Sequence, residues 1–105
     1  MNPDCQIYAL EHEDIVTVVI EGELDLSAAP ILERQLRAAE ARQRRTVIID
    51  LDRVTFIDSA GLHVLIAHCR LHRYEGQLRL TRGSPQVRRV LDLVGLSARL
   101  PFVPS

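Results

Sequence analysis

What most restricts how this chain can fold is the hand-over between residues 47 and 69. Val47-Ile48-Ile49-Asp50-Leu51 is too continuously apolar to leave one face in water, so it reads as a strand in the middle of a sheet, with bounds Thr46 to Leu51. Leu62, Leu65, Ile66 and Cys69 follow at i, i+3, i+4, i+7 spacing, one face of a helix. Between them, Val54-Thr55-Phe56-Ile57-Asp58-Ser59-Ala60-Gly61-Leu62 puts an acid, a hydroxyl and a glycine where strand passes into helix. Such junctions gather functional groups in open α/β sheets, because the edge is exposed and the helix start offers unsatisfied N–H donors and a partial positive charge. Ser59 is expected to cap this helix, and a phosphate on the same oxygen would meet the same donors.

The rest of the chain supplies more of the same elements. Cys5 to Leu10 and Ile15 to Ile20, separated by the polar Glu11-His12-Glu13-Asp14, read as a β-hairpin. Gly22 is expected to break the second strand, with Glu23-Leu24-Asp25 leading out of the sheet. Ser27 is placed as the cap of a helix running to about Arg42, with Pro30 in its first turn and Leu32, Leu36 and Ala39 facing the core. Arg42-Gln43-Arg44-Arg45 reads as a loop, and the helix after Ser59 as running to about Tyr74, closed by Gly76. Gln77 to Thr81 reads as a strand. Ser84 and Pro85 open a third helix, whose stripe Val87, Val90, Leu91, Val94 ends at Gly95. The proline-flanked tail, Arg99 to Pro104, suits a short edge strand. The order β-β-α-β-α-β-α, with a final β, predicts an α/β fold: one domain over residues 1–105, a mixed sheet of four to five strands with helices packed on it.

Phe56-Ile57-Asp58-Ser59-Ala60-Gly61-Leu62, taken with Gly22-Glu23-Leu24-Asp25, resembles the STAS-domain anti-sigma factor antagonists of bacteria, across nearly the whole chain. The resemblance implies the same mixed-sheet architecture and a protein regulated by phosphorylation of the serine directly after the aspartate, here Ser59. It implies that the unphosphorylated form binds an anti-sigma factor that is itself a serine kinase, freeing a sigma factor. The kinase then phosphorylates Ser59 to break the complex, and a serine phosphatase restores it. The Asp25 region is implied to lie near Ser59 and to join in partner recognition, giving a contact set of Asp25, Asp58, Ser59, Ala60, Gly61, Leu62 and His63. Position 63 is often glycine in the family and is histidine here.

At 105 residues the chain can bury about two-thirds of its unfolded surface as one domain. A net charge of −1 argues against a direct nucleic-acid binder. All 13 basic residues are arginine, which fits either bidentate anion recognition or codon usage. The N-terminus has no signal-peptide pattern and no apolar run reaches the roughly 20 residues of a membrane span, so a soluble, cytoplasmic protein without membrane association is expected. Cys5 and Cys69 then read as buried thiols.

Asp58 fits a catalytic carboxylate, a metal ligand, or a residue that orients the serine and caps the loop, the last favoured because aspartate readily bonds nearby backbone in turns. Asp25 fits either a solvated loop acid or a partner of the Ser59 site. Gly61 suggests close approach of another backbone. His68 and His72, at i, i+4, lack further ligands at suitable spacing and are read as solvent-facing. Hydrolase, phosphate-loop and dinucleotide signatures are missing: position 57 is isoleucine where a nucleophile elbow has glycine, and the chain has no lysine. The expectation is therefore a non-enzyme that needs no cofactor. Two rivals stand beside it: a STAS domain serving as a fixed structural subunit of a lipid-transport or stress-signalling assembly, with Ser59 only a cap, and a nucleotide binder or enzyme using Asp25, Asp58 and Ser59. Exposed strand edges would also permit a homodimer.

Overall fold

The computed structural model describes residues 4–41, 46–71 and 77–104. Within them lie β1 (Cys5–His12), β2 (Ile15–Leu24), α1 (Ala29–Glu40), β3 (Thr46–Ile57), α2 (Ser59–Leu71), β4 (Leu78–Leu80) and α3 (Pro85–Leu93). The loop at 42–45, the C-terminal close of α2 near Tyr74 and Gly76, and His72 lie outside the described residues.

The strands form one sheet in the order β1-β2-β3-β4. β1 and β2 make the expected antiparallel hairpin, turning at Glu13-Asp14, while β2, β3 and β4 run parallel. The tail adds one parallel bridge, Leu80 to Phe102, at the β4 edge. Val16, Val18 and Ile20 of β2 join Val47, Ile49 and Leu51 of β3 in one core with Leu32 and Leu36 of α1, Leu65 of α2 and Leu91 of α3. The opposite face carries a polar group: Tyr8 donates to Glu21 (2.6 Å), which also pairs with Arg53 (3.4 Å).

β3 is longer than expected, running six residues beyond Leu51, and two irregularities in its pairing with β2 explain why alternation did not reveal it. Val19 to Glu21 on β2 faces Asp50 to Arg53 on β3, and Gly22 to Glu23 faces Val54 to Phe56. Each step inserts one extra residue into β3, as a β-bulge does. The buried positions therefore fall at 47, 49, 51, 54 and 57, a spacing of two followed by three. β2 likewise does not break at Gly22 but continues to Leu24. Gly22 adopts φ +104°, and a Cβ there would lie 2.0 Å from the Asp4 carbonyl oxygen. That oxygen accepts from Glu23 N–H (2.8 Å), so glycine lets the strand pass rather than ending it.

Ser84 caps α3 as expected, accepting from Val87 N–H (3.2 Å), and the helix closes at Gly95 with Leu96 N–H donating to the Leu91 carbonyl. Val87 and Leu91 are buried, whereas Val94 lies past the helix end and is half exposed, so it leaves the expected stripe. On α2 the buried face is Gly61, Val64, Leu65, His68 and Cys69, with Leu62 and Ile66 at its margins.

His68 corrects the solvent-facing reading. Only 2% exposed, it lies between α2 and α1 with Nδ1 2.8 Å from the Glu40 carboxylate and Nε2 2.7 Å from Glu33. Ionised carboxylates only accept, so this geometry favours the charged ring, in which both nitrogens donate. The Glu40 hydrogen bond pushes the His68 pKa up against the opposing effect of burial, and Glu33 adds to it. Burial pushes Glu33 up, but hydrogen bonds from His68 and Arg37 leave it below its ordinary value. Cys5 and Cys69 are buried free thiols, and burial raises Cys69 to about 11.

Candidate functional site

The last residue pair of β2 and β3 is Leu24 with Ile57. The next residues, Asp25 and Asp58, therefore leave the sheet side by side, which brings the two sequence motifs to one edge. They do the same local work. Asp25 Oδ1 accepts from Ser27 N–H (3.1 Å), Ser27 Oγ–H (2.9 Å) and Ala28 N–H (3.1 Å). Asp58 Oδ1 accepts from Ala60 N–H (3.0 Å) and Gly61 N–H (3.1 Å). Each strand thus ends in an aspartate that accepts backbone N–H groups just beyond it: Asp58 takes donors in the first turn of α2, and Asp25 takes those of the turn that leads into α1. The Ser27 hydroxyl hydrogen bond, helped by the two backbone N–H groups, holds the Asp25 carboxyl below the usual range.

Both expected serine caps are corrected by this arrangement. The cap position of α1 is Ala28, which makes no side-chain cap, and the Ser27 hydroxyl donates to Asp25. Ser59 is the first residue of α2, one position inside the cap that Asp58 provides. Its side chain is exposed, and no hydrogen bond joins its hydroxyl to another described residue. The N–H donors of Ala60 and Gly61 are already taken by Asp58, so a phosphate on Ser59 would add charge beside a carboxylate without gaining those two donors.

Gly61 brings the two loops together. A Cβ there would lie 2.7 Å from the Leu24 carbonyl oxygen and 2.8 Å from Leu24 Cγ, so only glycine lets α2 start this close to the end of β2. The same Leu24 carbonyl accepts from Asp58 N–H (3.3 Å). Gly61 is buried by this contact, while Ser59 and His63 are exposed and Asp25, Asp58, Ala60 and Leu62 are half-buried. Two residues outside the expected contact set flank this end of the sheet: Leu26, 75% exposed, and Phe56, 49% exposed. A leucine inside a turn was the available signal for the first. Phe56 was hidden by the bulges, which turn it outward.

This edge, where two neighbouring parallel strands of a mixed sheet each end in an aspartate that bonds the following turn, is the arrangement of a STAS domain, and a family model described by that name matches residues 6–105. The chain is 30% identical to the anti-sigma F factor antagonist of Paenibacillus polymyxa over 99 residues, 92% of this chain and 85% of that protein. Among solved structures it is similar to an anti-sigma factor antagonist from Mycobacterium paratuberculosis (TM-score 0.75, 29% identity, covering 99% of this chain and 90% of that one). It is similar also to the anti-sigma factor antagonist SpoIIAA in its unphosphorylated form (TM-score 0.71, 25% identity, 96% and 89%). The chain belongs to the STAS-domain family of anti-sigma factor antagonists. Among the described residues no helix is long and apolar enough to cross a membrane.

Proposed function

We propose that this protein is a phosphorylation-controlled binding switch: unphosphorylated, it docks on an anti-sigma factor that is a serine kinase and so frees a sigma factor. Phosphorylation of Ser59 by that kinase ends the complex, and a serine phosphatase resets it. The observation that carries the reading is the exposed Ser59 hydroxyl, released from capping by Asp58 at the edge where Asp25 and Asp58 leave paired strands. A helix cap needs no second hydroxyl here, so Ser59 is left for chemistry.

Modification adds about −1.5 to −2 charges at this spot. Asp58 is the adjacent residue and Asp25 leaves the neighbouring strand, so the new charge falls among acids. An apolar or acidic partner surface seated on Leu26 and Phe56 would then meet an uncompensated, hydrated dianion. Like charge across an interface costs enough to change affinity by about tenfold or more.

The test is titration of the cognate anti-sigma factor with wild type, Ser59→Ala and Ser59→Asp. Wild-type-like binding by the alanine variant and at least about tenfold weaker binding by the aspartate variant is expected. Equal affinities for all three would leave Ser59 outside the switch and favour a fixed structural subunit.

A further inference from the structure

At the other end of α2 from Ser59 lies a cavity of about 420 Å³, walled by α2, β4 and the C-terminal segment. Arg70 stands eleven residues beyond Ser59, roughly 16 Å along the helix, so this cavity is separate from the phosphorylation edge. Its apolar lining includes Leu78, Leu96 and Leu100, and three arginines share it: Arg70, Arg79 and Arg99. None of the three pairs with a carboxylate of the described residues; Arg79 instead donates to the Leu78 carbonyl (3.1 Å). Elsewhere arginines do find acids, as Arg37 does with Glu33 and Arg53 with Glu21.

Three arginine side chains line this one concavity, two of them exposed, and offer guanidinium donors to an anion that enters it. The whole chain carries a net charge of −1, so this positive charge is local and not a general basic surface. The volume falls at the small end of the range of about 300–1,000 Å³ usual for ligand sites, and a mostly apolar lining with a few convergent polar groups is their usual composition. Guanidinium forks match phosphate and carboxylate oxygens in pairs.

We propose that this cavity is a second ligand site, for a small amphiphilic anion whose phosphate or carboxylate head is held by Arg70, Arg79 and Arg99 and whose apolar body rests on Leu78, Leu96 and Leu100. The apolar part supplies affinity by leaving water, and the head selects for negative charge. The proposal does not rest on the function assigned to Ser59.

The test is a backbone amide NMR titration with octyl phosphate below its aggregation concentration, run beside n-octanol and inorganic phosphate. Saturable shifts confined to the cavity wall are expected, with octyl phosphate at least about tenfold tighter than either fragment. The double variant Arg70→Gln/Arg99→Gln, altering two exposed side chains, should keep the wild-type spectrum, lose that preference and leave octanol binding unchanged. Equal affinity for octanol and octyl phosphate would reduce the cavity to an apolar surface, and equal affinity for inorganic phosphate would reduce it to a plain anion site. Either result, or shifts that do not saturate or that map elsewhere, overturns the proposal.

Discussion

Replacing Asp58 by alanine removes a carboxylate oxygen that accepts two N–H hydrogen bonds at the start of α2, while replacing Ser59 by alanine removes a hydroxyl bonded to no described residue. Loss of an aspartate cap costs about 0.5–2 kcal/mol. Here two part-buried N–H groups, those of Ala60 and Gly61, lose their acceptor together, so the upper part of that range applies, about 2 kcal/mol. For a domain of this size that lowers Tm by about 8–16 °C. Asparagine caps nearly as well as aspartate, so Asp58→Asn should stay within about 0.5 kcal/mol of wild type. Ser59→Ala, at an exposed position, should do the same. Urea unfolding followed by circular dichroism reads all three, with an unchanged m-value showing that the unfolded state is not the cause. A Ser59→Ala loss equal to that of Asp58→Ala would show that the serine shares the cap, and the argument that its hydroxyl is free for modification would fail.

Gly61→Ala pushes a methyl against the Leu24 carbonyl and side chain; overpacking of about 1–3 kcal/mol, offset by up to about 1 kcal/mol of helix propensity, should leave the variant roughly 1–2 kcal/mol less stable by urea unfolding. His68 gives a pH dependence of definite sign. Its raised pKa means that its stabilisation is complete below the ordinary value of 6.5 and is lost as pH rises through the folded value. The lowered Glu33 acts oppositely, stabilising above its ordinary 4.5 and failing as pH falls below it, so Tm should be highest between about pH 5 and 6.5. His68→Gln should flatten the decline above that window, and an unchanged alkaline limb in the variant would remove His68 as its source. Leu26→Ser and Phe56→Ser should leave stability within about 0.5 kcal/mol, being exposed, yet weaken anti-sigma factor binding in the same titration as the Ser59 variants.

The element order was legible because β-branched runs and helical stripes here are separated by strong turn residues, and Ser84-Pro85 and Gly95 mark both ends of α3. The shared edge of Asp25 and Asp58 was expected from the resemblance, and the parallel pairing of Leu24 with Ile57 supplies its geometry. The close backbone approach suggested at Gly61 is the contact with Leu24. The outer half of β3 was not legible, since two inserted residues change the burial period from two to three and a period-two reading stops at Leu51. The caps were misplaced because aspartate and serine are both good acceptors at helix starts, and in Asp25-Leu26-Ser27 and Asp58-Ser59 spacing alone does not choose between them. His68 was misread because its partners lie 28 and 35 residues away on α1, a pairing that exists only after packing. The one local hint was that Glu33 and Glu40, seven apart, share a helix face beside Leu36.

The central claim is that Ser59 is the modified residue, and the most direct measurement is intact mass with peptide mapping after incubation with the cognate anti-sigma factor and ATP. The account predicts the mass of one phosphate, located on Ser59 and absent from Ser59→Ala. No added mass, or a phosphate that persists elsewhere in the alanine variant, would contradict it.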